Sequence, residues 1–276
     1  MTGRLSVVAT PIGNLEDITL RALRTLKEAD LILAEDTRRT KTLCSHHGIQ
    51  TPLRPFHAHT PDHVVAEIVE QLRGGASFAL VTDAGTPLVS DPGARLTAAA
   101  CDAGVRVEPI PGPSAALAAL AASGLRIGSF RFVAFLPRAG TKRGEALAAL
   151  VRAPEATVMF EAANRLPGTL ADLARLAPER RAAVARELTK LHEEIARGTL
   201  AELASRFAEA PRGEVTLVVE GAPETTAPFD ESAALRQAKV LLAEGGRTKE
   251  VAKVLAEAHG LSARDAYALV LRVAAT

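Results

Sequence analysis

Strand-patterned runs of five or six residues alternate with helix-patterned stretches through most of the chain, and that alternation constrains the fold more than any other feature. Strand-like runs fall at 5–9, 29–34, 77–81, 105–109, 130–135, 156–160, 182–186 and 215–219. Helix patterns separate most of them, at 19–27, 37–46, 62–73, 91–103, 114–122, 143–151, 165–174 and 201–208. A helix-length return between strands is what a parallel crossover needs, so the pattern predicts an α/β fold with parallel-rich, helix-covered sheets. Two glycines and two serines in 122–129 mark one boundary, and the Pro-containing segment 221–228 marks another. The expected organisation is two α/β domains, 1–122 and 123–221, then a helical domain over 229–276. Its three helices are expected at 235–244, 248–259 and 263–274.

The loops after the strands carry the chemistry. Residues 82–93, TDAGTPLVSDPG, follow the apolar run from Phe78 to Val81. Gly85 and Gly93 permit positive φ there, whereas Pro87 and Pro92 fix φ and withdraw donors, so this segment is a shaped loop. At 12 residues it exceeds an ordinary strand–helix connection, and it lies where open α/β sheets bind ligands. Three other loops share that position: TPIGNLEDITLRA (10–22), AEDTR (34–38) and PIPGPSA (109–115). Gly13 leaves room for a ligand to approach the main chain of Ile12, and Ser114 suits either a helix cap or a ligand contact. No G-x-G-x-x-G or G-x-x-x-x-G-K-[ST] pattern occurs, which removes dinucleotide and P-loop readings.

Composition narrows the class further. Only 3% of the 276 residues are aromatic and none is Trp, so the core is built from Ala, Leu and Val, which leaves apolar surface for a homodimer to cover. The net charge of +1 gives no global field for nucleic acid, so any such binding rests on local cations. Two cysteines without C-x-x-C spacing and a short N-terminal apolar run predict a cytoplasmic protein, with no disulfide framework and no membrane span. His57, His59 and His63 match no standard zinc spacing, and no metal is expected.

In order, TPIGNLEDITLRA, AEDTR, TDAGTPLVSDPG, PIPGPSA, FLPR (135–138), MFEAANR (159–165), RELTKLHEEIARGTL (186–200) and GEVTLVVEG (213–221) resemble the tetrapyrrole-methylase superfamily. Within it, the chain is most similar to the branch that methylates a cytidine ribose 2′-hydroxyl in the decoding centre of 16S rRNA. The resemblance covers residues 4 to about 221, and the C-terminal helices also resemble the tail domain of that branch. It implies S-adenosylmethionine folded in a cleft between two α/β domains, a homodimer, and the small ribosomal subunit as partner. By motif, the implied cofactor contacts are Ile12 through its backbone, Asp83, Thr86, Ser114, Ala115, Glu161 and Leu188. The third loop reads Thr-Asp-Ala-Gly-Thr-Pro where tetrapyrrole-methylating relatives have Gly-Asp-Pro, which favours Asp83 over Thr82 and Ala84.

A ribose hydroxyl is a weak acid, so a base, or a cation beside the developing alkoxide, would assist its attack. Glu35, Asp36 and Glu161 are the catalytic candidates, with Asp91 and Glu187 as further carboxylates; the sequence does not choose among them. Arg38, Arg165 and Arg186 are candidate phosphate clamps. Arg138, Lys142 and Arg143 form a cationic loop expected to hold RNA phosphates without reading sequence. The tail's Arg247, Lys249, Lys253 and Arg264 fit RNA contact and dimer packing equally. Glu193 and Glu194 read as exposed charge. Two other functions remain open: a precorrin-type tetrapyrrole methyltransferase, and a non-catalytic RNA- or ribosome-binding protein.

Overall fold

The first strand, β1 (Arg4–Val8), is central because its alternate side chains enter two different cores: Leu5 packs with Phe78 and Leu80, and Val8 with Ile32 and Val81. The chain continues through α1 (Leu20–Glu28), β2 (Leu31–Ala34), α2 (Thr37–His46), β3 (Leu53–Pro55), α3 (Asp62–Arg73), β4 (Ser77–Val81), α4 (Ala94–Asp102), β5 (Arg106–Ile110) and α5 (Ala115–Ala122). These strands form one wholly parallel sheet in the order β3-β2-β4-β1-β5. Leu26 of α1 and Leu43 of α2 cover one face. Ile68 and Leu72 of α3 and Leu96 of α4 cover the other. The computed structural model describes residues 3–88, 93–223, 231–243, 246–259 and 261–274.

The second sheet comprises β6 (Phe130–Phe135), α6 (Thr141–Arg152), β7 (Ala156–Ala162), α7 (Leu166–Leu176), β8 (Arg181–Arg186), β9 (Glu194–Thr199), α8 (Leu200–Arg206) and β10 (Glu214–Val219). Its order is β6-β7-β10-β8-β9, and only β6 and β7 pair in parallel. The expectation of parallel-rich sheets therefore fails for this half. Residues 187–193 join β8 to β9 with no helix, and so short a return allows only an antiparallel pair. Two strands were illegible in the sequence: β3 is a three-residue edge ending in Pro55, and β9 (EIARGT) is a polar edge strand containing Gly198.

Leu147, Leu170, Leu173, Leu200 and Leu203 cover one face of the second sheet together with Met159, Val184 and Leu217. Helix α5 precedes this sheet in sequence yet packs on its other face, with Ala116 and Ala119 against Val158, Ala183, Ala185 and Val218. Alanine on both surfaces allows that close approach. Both sheets belong to one compact unit, Met1–Ala222; the second unit is Pro223–Thr276. In the latter, α9 (Glu231–Ala243), α10 (Thr248–His259) and α11 (Ala263–Ala274) enclose Ala238, Val251, Leu255, Ala266 and Val270. Ser262 caps α11 by accepting the Asp265 N–H at 3.1 Å. Among the described residues, no helix is long and apolar enough to cross a membrane.

Candidate active site

Three loops leave the carboxyl ends of β1, β4 and β5 and are joined by hydrogen bonds. Thr10 and Gly85 exchange both backbone bonds, at 2.9 and 3.0 Å. Gly85 has φ +87°, a conformation that glycine adopts without penalty. The Thr10 hydroxyl donates to the Thr82 carbonyl at 3.1 Å, and the Thr86 hydroxyl donates to the Pro113 carbonyl at 3.2 Å. Ser114 caps α5, accepting from the Leu117 N–H at 3.5 Å.

Opposite them stands the loop after β8. Glu187 and Thr189 both have positive φ, +50° and +65°, on either side of buried Leu188. Non-glycine residues rarely adopt that region, and two such residues so close together fix the direction of the Leu188 side chain. The first loop touches this one: a Cβ on Gly13 would fall 2.9 Å from the Leu188 carbonyl oxygen and 2.8 Å from Thr189 Oγ1. Glycine is required at 13 for proximity.

Between the two sets of loops lies a cavity of about 510 Å³, within the range of small-molecule sites. Ile12, Ala84, Gly85, Thr86, Ser114 and Ala115 line it from the first half. From the second half come Phe135, the stretch from Phe160 to Ala163, Leu188, and the stretch from Gly213 to Thr216. Small residues form much of the wall and let a ligand approach the backbone. Glu161 and Glu214 are its charged members, and no Lys or Arg is among the lining residues. A concave, largely apolar wall with carboxylates and no cation fits a ligand bearing a sulfonium and an ammonium group.

Six of the seven implied cofactor contacts, Ile12, Thr86, Ser114, Ala115, Glu161 and Leu188, thus share one cavity wall. Asp83 does not line it, whereas Ala84 does, reversing the expected order of those two. The Asp83 carboxylate accepts the Asp36 N–H at 2.9 Å and lies 3.6 Å from Arg39, so it holds the start of α2 beside the cavity loops. Asp83→Ala is expected to preserve the fold and weaken cofactor binding indirectly, by about 1–3 kcal/mol. Calorimetric titration checks this, and an unchanged affinity would separate Asp83 from the site.

The catalytic candidates occupy different settings. Asp36 caps α2 and is gripped by Arg38 at 2.8 Å. That side-chain hydrogen bond from Arg38 is the leading cause that lowers the Asp36 carboxyl to about 2, which makes it a feeble base at neutral pH. Glu35 accepts from the Thr82 hydroxyl at 3.1 Å and is not a lining residue. Glu161 does line the cavity, but both of its carboxylate oxygens already have partners. Oε2 accepts from the Thr169 hydroxyl at 2.6 Å, Oε1 accepts from the Ala162 N–H at 2.9 Å, and Arg165 Nε lies 3.2 Å away. Its geometry suits organisation better than proton abstraction. Asp91 lies outside the described residues. Glu187 is held below the usual carboxylate range, chiefly by the Lys190 hydrogen bond. The lining carboxylate that sequence reasoning missed is Glu214, at the start of β10 and 3.0 Å from Lys190; no motif spacing marked it.

The cationic residues also divide. Arg138 and Lys142 are exposed. Arg143 is committed inside the fold, 3.0 Å from Asp172 and 3.1 Å from Thr169 Oγ1. Lys142 and Arg143 stand on the first turn of α6, so the expected loop ends at Gly140. Arg165 donates to the Leu136 carbonyl at 2.8 Å, and Arg186 pairs with Glu194, so neither is an open phosphate clamp. Glu194, read as exposed charge, is also bound by Arg206 at 2.7 Å.

Two five-stranded sheets with a ligand-sized cavity between their loops define a methylase of the tetrapyrrole type: the sequence model described as Tetrapyrrole (Corrin/Porphyrin) Methylases matches residues 4–204, and the chain belongs to that family. Within the family it is 43% identical over 270 residues to the ribosomal RNA small subunit methyltransferase I of Halalkalibacterium halodurans, spanning 96% of this chain and 93% of that protein. It is 45% identical over 220 residues to the Thermotoga maritima protein of the same name, spanning 79% of this chain and 99% of the relative. The fold also resembles uroporphyrin-III C-methyltransferase from Thermus thermophilus, solved with S-adenosyl homocysteine. The TM-score is 0.57 at 21% identity, covering 78% of this chain and 97% of that one.

Proposed function

We propose that the protein transfers a methyl group from S-adenosylmethionine to a ribose 2′-oxygen, that of a decoding-centre cytidine in 16S rRNA of the small ribosomal subunit. The observation that carries this reading is the cavity itself: a small-residue, cation-free wall that includes Phe135, with the exposed cations Arg138 and Lys142 three and seven residues further along the chain. The name borne by the full-length relatives supports the choice of substrate. When bound, S-adenosylmethionine supplies a methyl group already activated as an electrophile. The protein's task is then alignment and exclusion of water. Ile12, Leu188 and Ala115 line the cavity that would hold the cofactor, and the hydrogen bonds that join the loops at Thr10, Gly85 and Pro113 would keep that wall in place. Arg138 and Lys142 hold RNA phosphates, while Arg143 holds the segment that presents them. Glu214 is the lining carboxylate with an exposed side chain, 68% accessible, and is open to a substrate hydroxyl. The protein works in the cytoplasm as a homodimer; the exposed Leu117, Phe130 and Leu191 supply apolar surface for the second copy.

The test uses methyl-labelled cofactor and small subunits from cells lacking the protein. Label should enter 16S rRNA and, after alkaline hydrolysis, appear in a dinucleotide that begins with cytidine. A methylated 2′-oxygen cannot attack the adjacent phosphate, so that one linkage survives. Label on a base, or transfer only to a precorrin-type tetrapyrrole, would overturn the substrate; failure to bind cofactor would favour a non-catalytic binding role.

A further inference from the structure

Phe135 is half exposed, at 52%, although it ends a strand and lines the cavity. In a regular strand Phe132 and Phe135 would face opposite sides of the sheet. Here the register of β6 on β7 slips between them, and Ala134 takes φ +52°. Both rings consequently meet Phe160, with centroids 5.0 Å away for Phe132 and 5.8 Å away for Phe135. Bulges of this kind re-aim side chains beside functional sites. The segment that follows is clamped twice, by Arg165 on the Leu136 carbonyl at 2.8 Å and by Arg143 on the Pro137 carbonyl at 3.2 Å. Burial does not explain a strained bulge and two arginine clamps that end in an exposed ring.

The geometry points to Phe135 as a stacking platform for an unpaired RNA base at the cavity mouth, with the adjoining phosphates on Arg138 and Lys142. This rests on the RNA-methylating reading above. Single-stranded RNA is commonly held in this way, its splayed bases laid on aromatic rings beside a cationic track. The chemistry recognised is a flat heteroaromatic ring, which the cofactor's adenine also possesses, so the experiment must distinguish the two sources.

Phe135→Leu keeps an apolar side chain without the ring, and Phe135→Tyr keeps the ring. Each variant is assayed for KM with small subunits lacking the methyl group and, separately, for S-adenosylmethionine affinity by calorimetry. Phe135→Leu is expected to raise the subunit KM at least tenfold, within the usual worth of one base–aromatic stack. Because Phe135 also lines the cavity, cofactor affinity should fall by a clearly smaller factor than KM rises, and Phe135→Tyr should restore KM. An unchanged KM, or a loss confined to cofactor affinity, would overturn the proposal. If the wild-type protein does not methylate subunits, the substrate reading fails separately. Binding of a fluorescent single-stranded oligoribonucleotide then decides the platform: Phe135→Leu must weaken it, and equal binding refutes the role.

Discussion

Gly13→Val should weaken cofactor binding at least tenfold while leaving both sheets folded. The new Cβ would fall 2.5 Å from Lys190 Cγ, 2.8 Å from Thr189 Oγ1 and 2.9 Å from the Leu188 carbonyl oxygen. The lysine chain can swing aside, but the carbonyl belongs to a loop fixed by two positive-φ residues. Relief must come from separating the loop after β1 from the loop after β8. That movement carries Ile12 and Leu188 apart, and both line the cavity. Overpacking of this sort costs about 1–3 kcal/mol in a well-packed setting. Because the strain is relieved by opening the site, the loss should fall mainly on binding, at least tenfold in cofactor affinity. Calorimetry beside far-UV dichroism checks both halves of the expectation; full affinity in a folded variant would show that the two loops need not touch.

A second large effect is expected at Glu161. Its side chain is fully buried, at 0% accessibility, and binds Arg165, Thr169 and its neighbour's backbone N–H. Glu161→Ala leaves the partly buried Arg165 without its carboxylate and the Thr169 hydroxyl without its acceptor. Removing one partner of a buried pair typically costs about 3–5 kcal/mol, and the 23% exposure of Arg165 places the expected loss near about 3 kcal/mol. Glu161→Gln keeps the volume and one acceptor, so it should lose roughly half as much. Urea unfolding measures both. If Glu161 were instead the proton acceptor, the Gln variant would be inactive even where it is folded. A Gln variant that retains turnover in proportion to its folded fraction supports the organising role.

Much of the first half was legible in the sequence because its elements obey local rules. β1, β2 and β4 are short, mostly apolar runs, and α1 and α2 begin at side-chain caps, Thr19 accepting the Ala22 N–H at 3.1 Å and Asp36 the Arg38 N–H at 2.9 Å. The second half was harder to read. A helix between two strands in sequence does not oblige them to be parallel, and β7, β10 and β8 pair antiparallel although helices or long segments intervene. The candidate carboxylates were legible only as residue types. Asp36, Glu35 and Glu161 are equally acidic in the sequence; a neighbouring arginine, a threonine hydroxyl and a buried ion pair give them different work.

By itself the sequence determined the α/β class, the loops after β1, β4 and β5 that line one side of the cavity, and the three-helix tail, because periodicity, capping and turn chemistry act within a few residues of the chain. The tertiary structure alone decided that Ala84 rather than Asp83 faces the cavity, that Arg143 is enclosed by Asp172 and Thr169, and that Phe135 is turned to the mouth by a slipped register. Each of those outcomes depends on a partner from 25 to 47 residues away, such as Phe160 for Phe135 or Asp36 for Asp83. Contacts at that separation are set by how sheets and loops pack, and local sequence pattern carries no record of them.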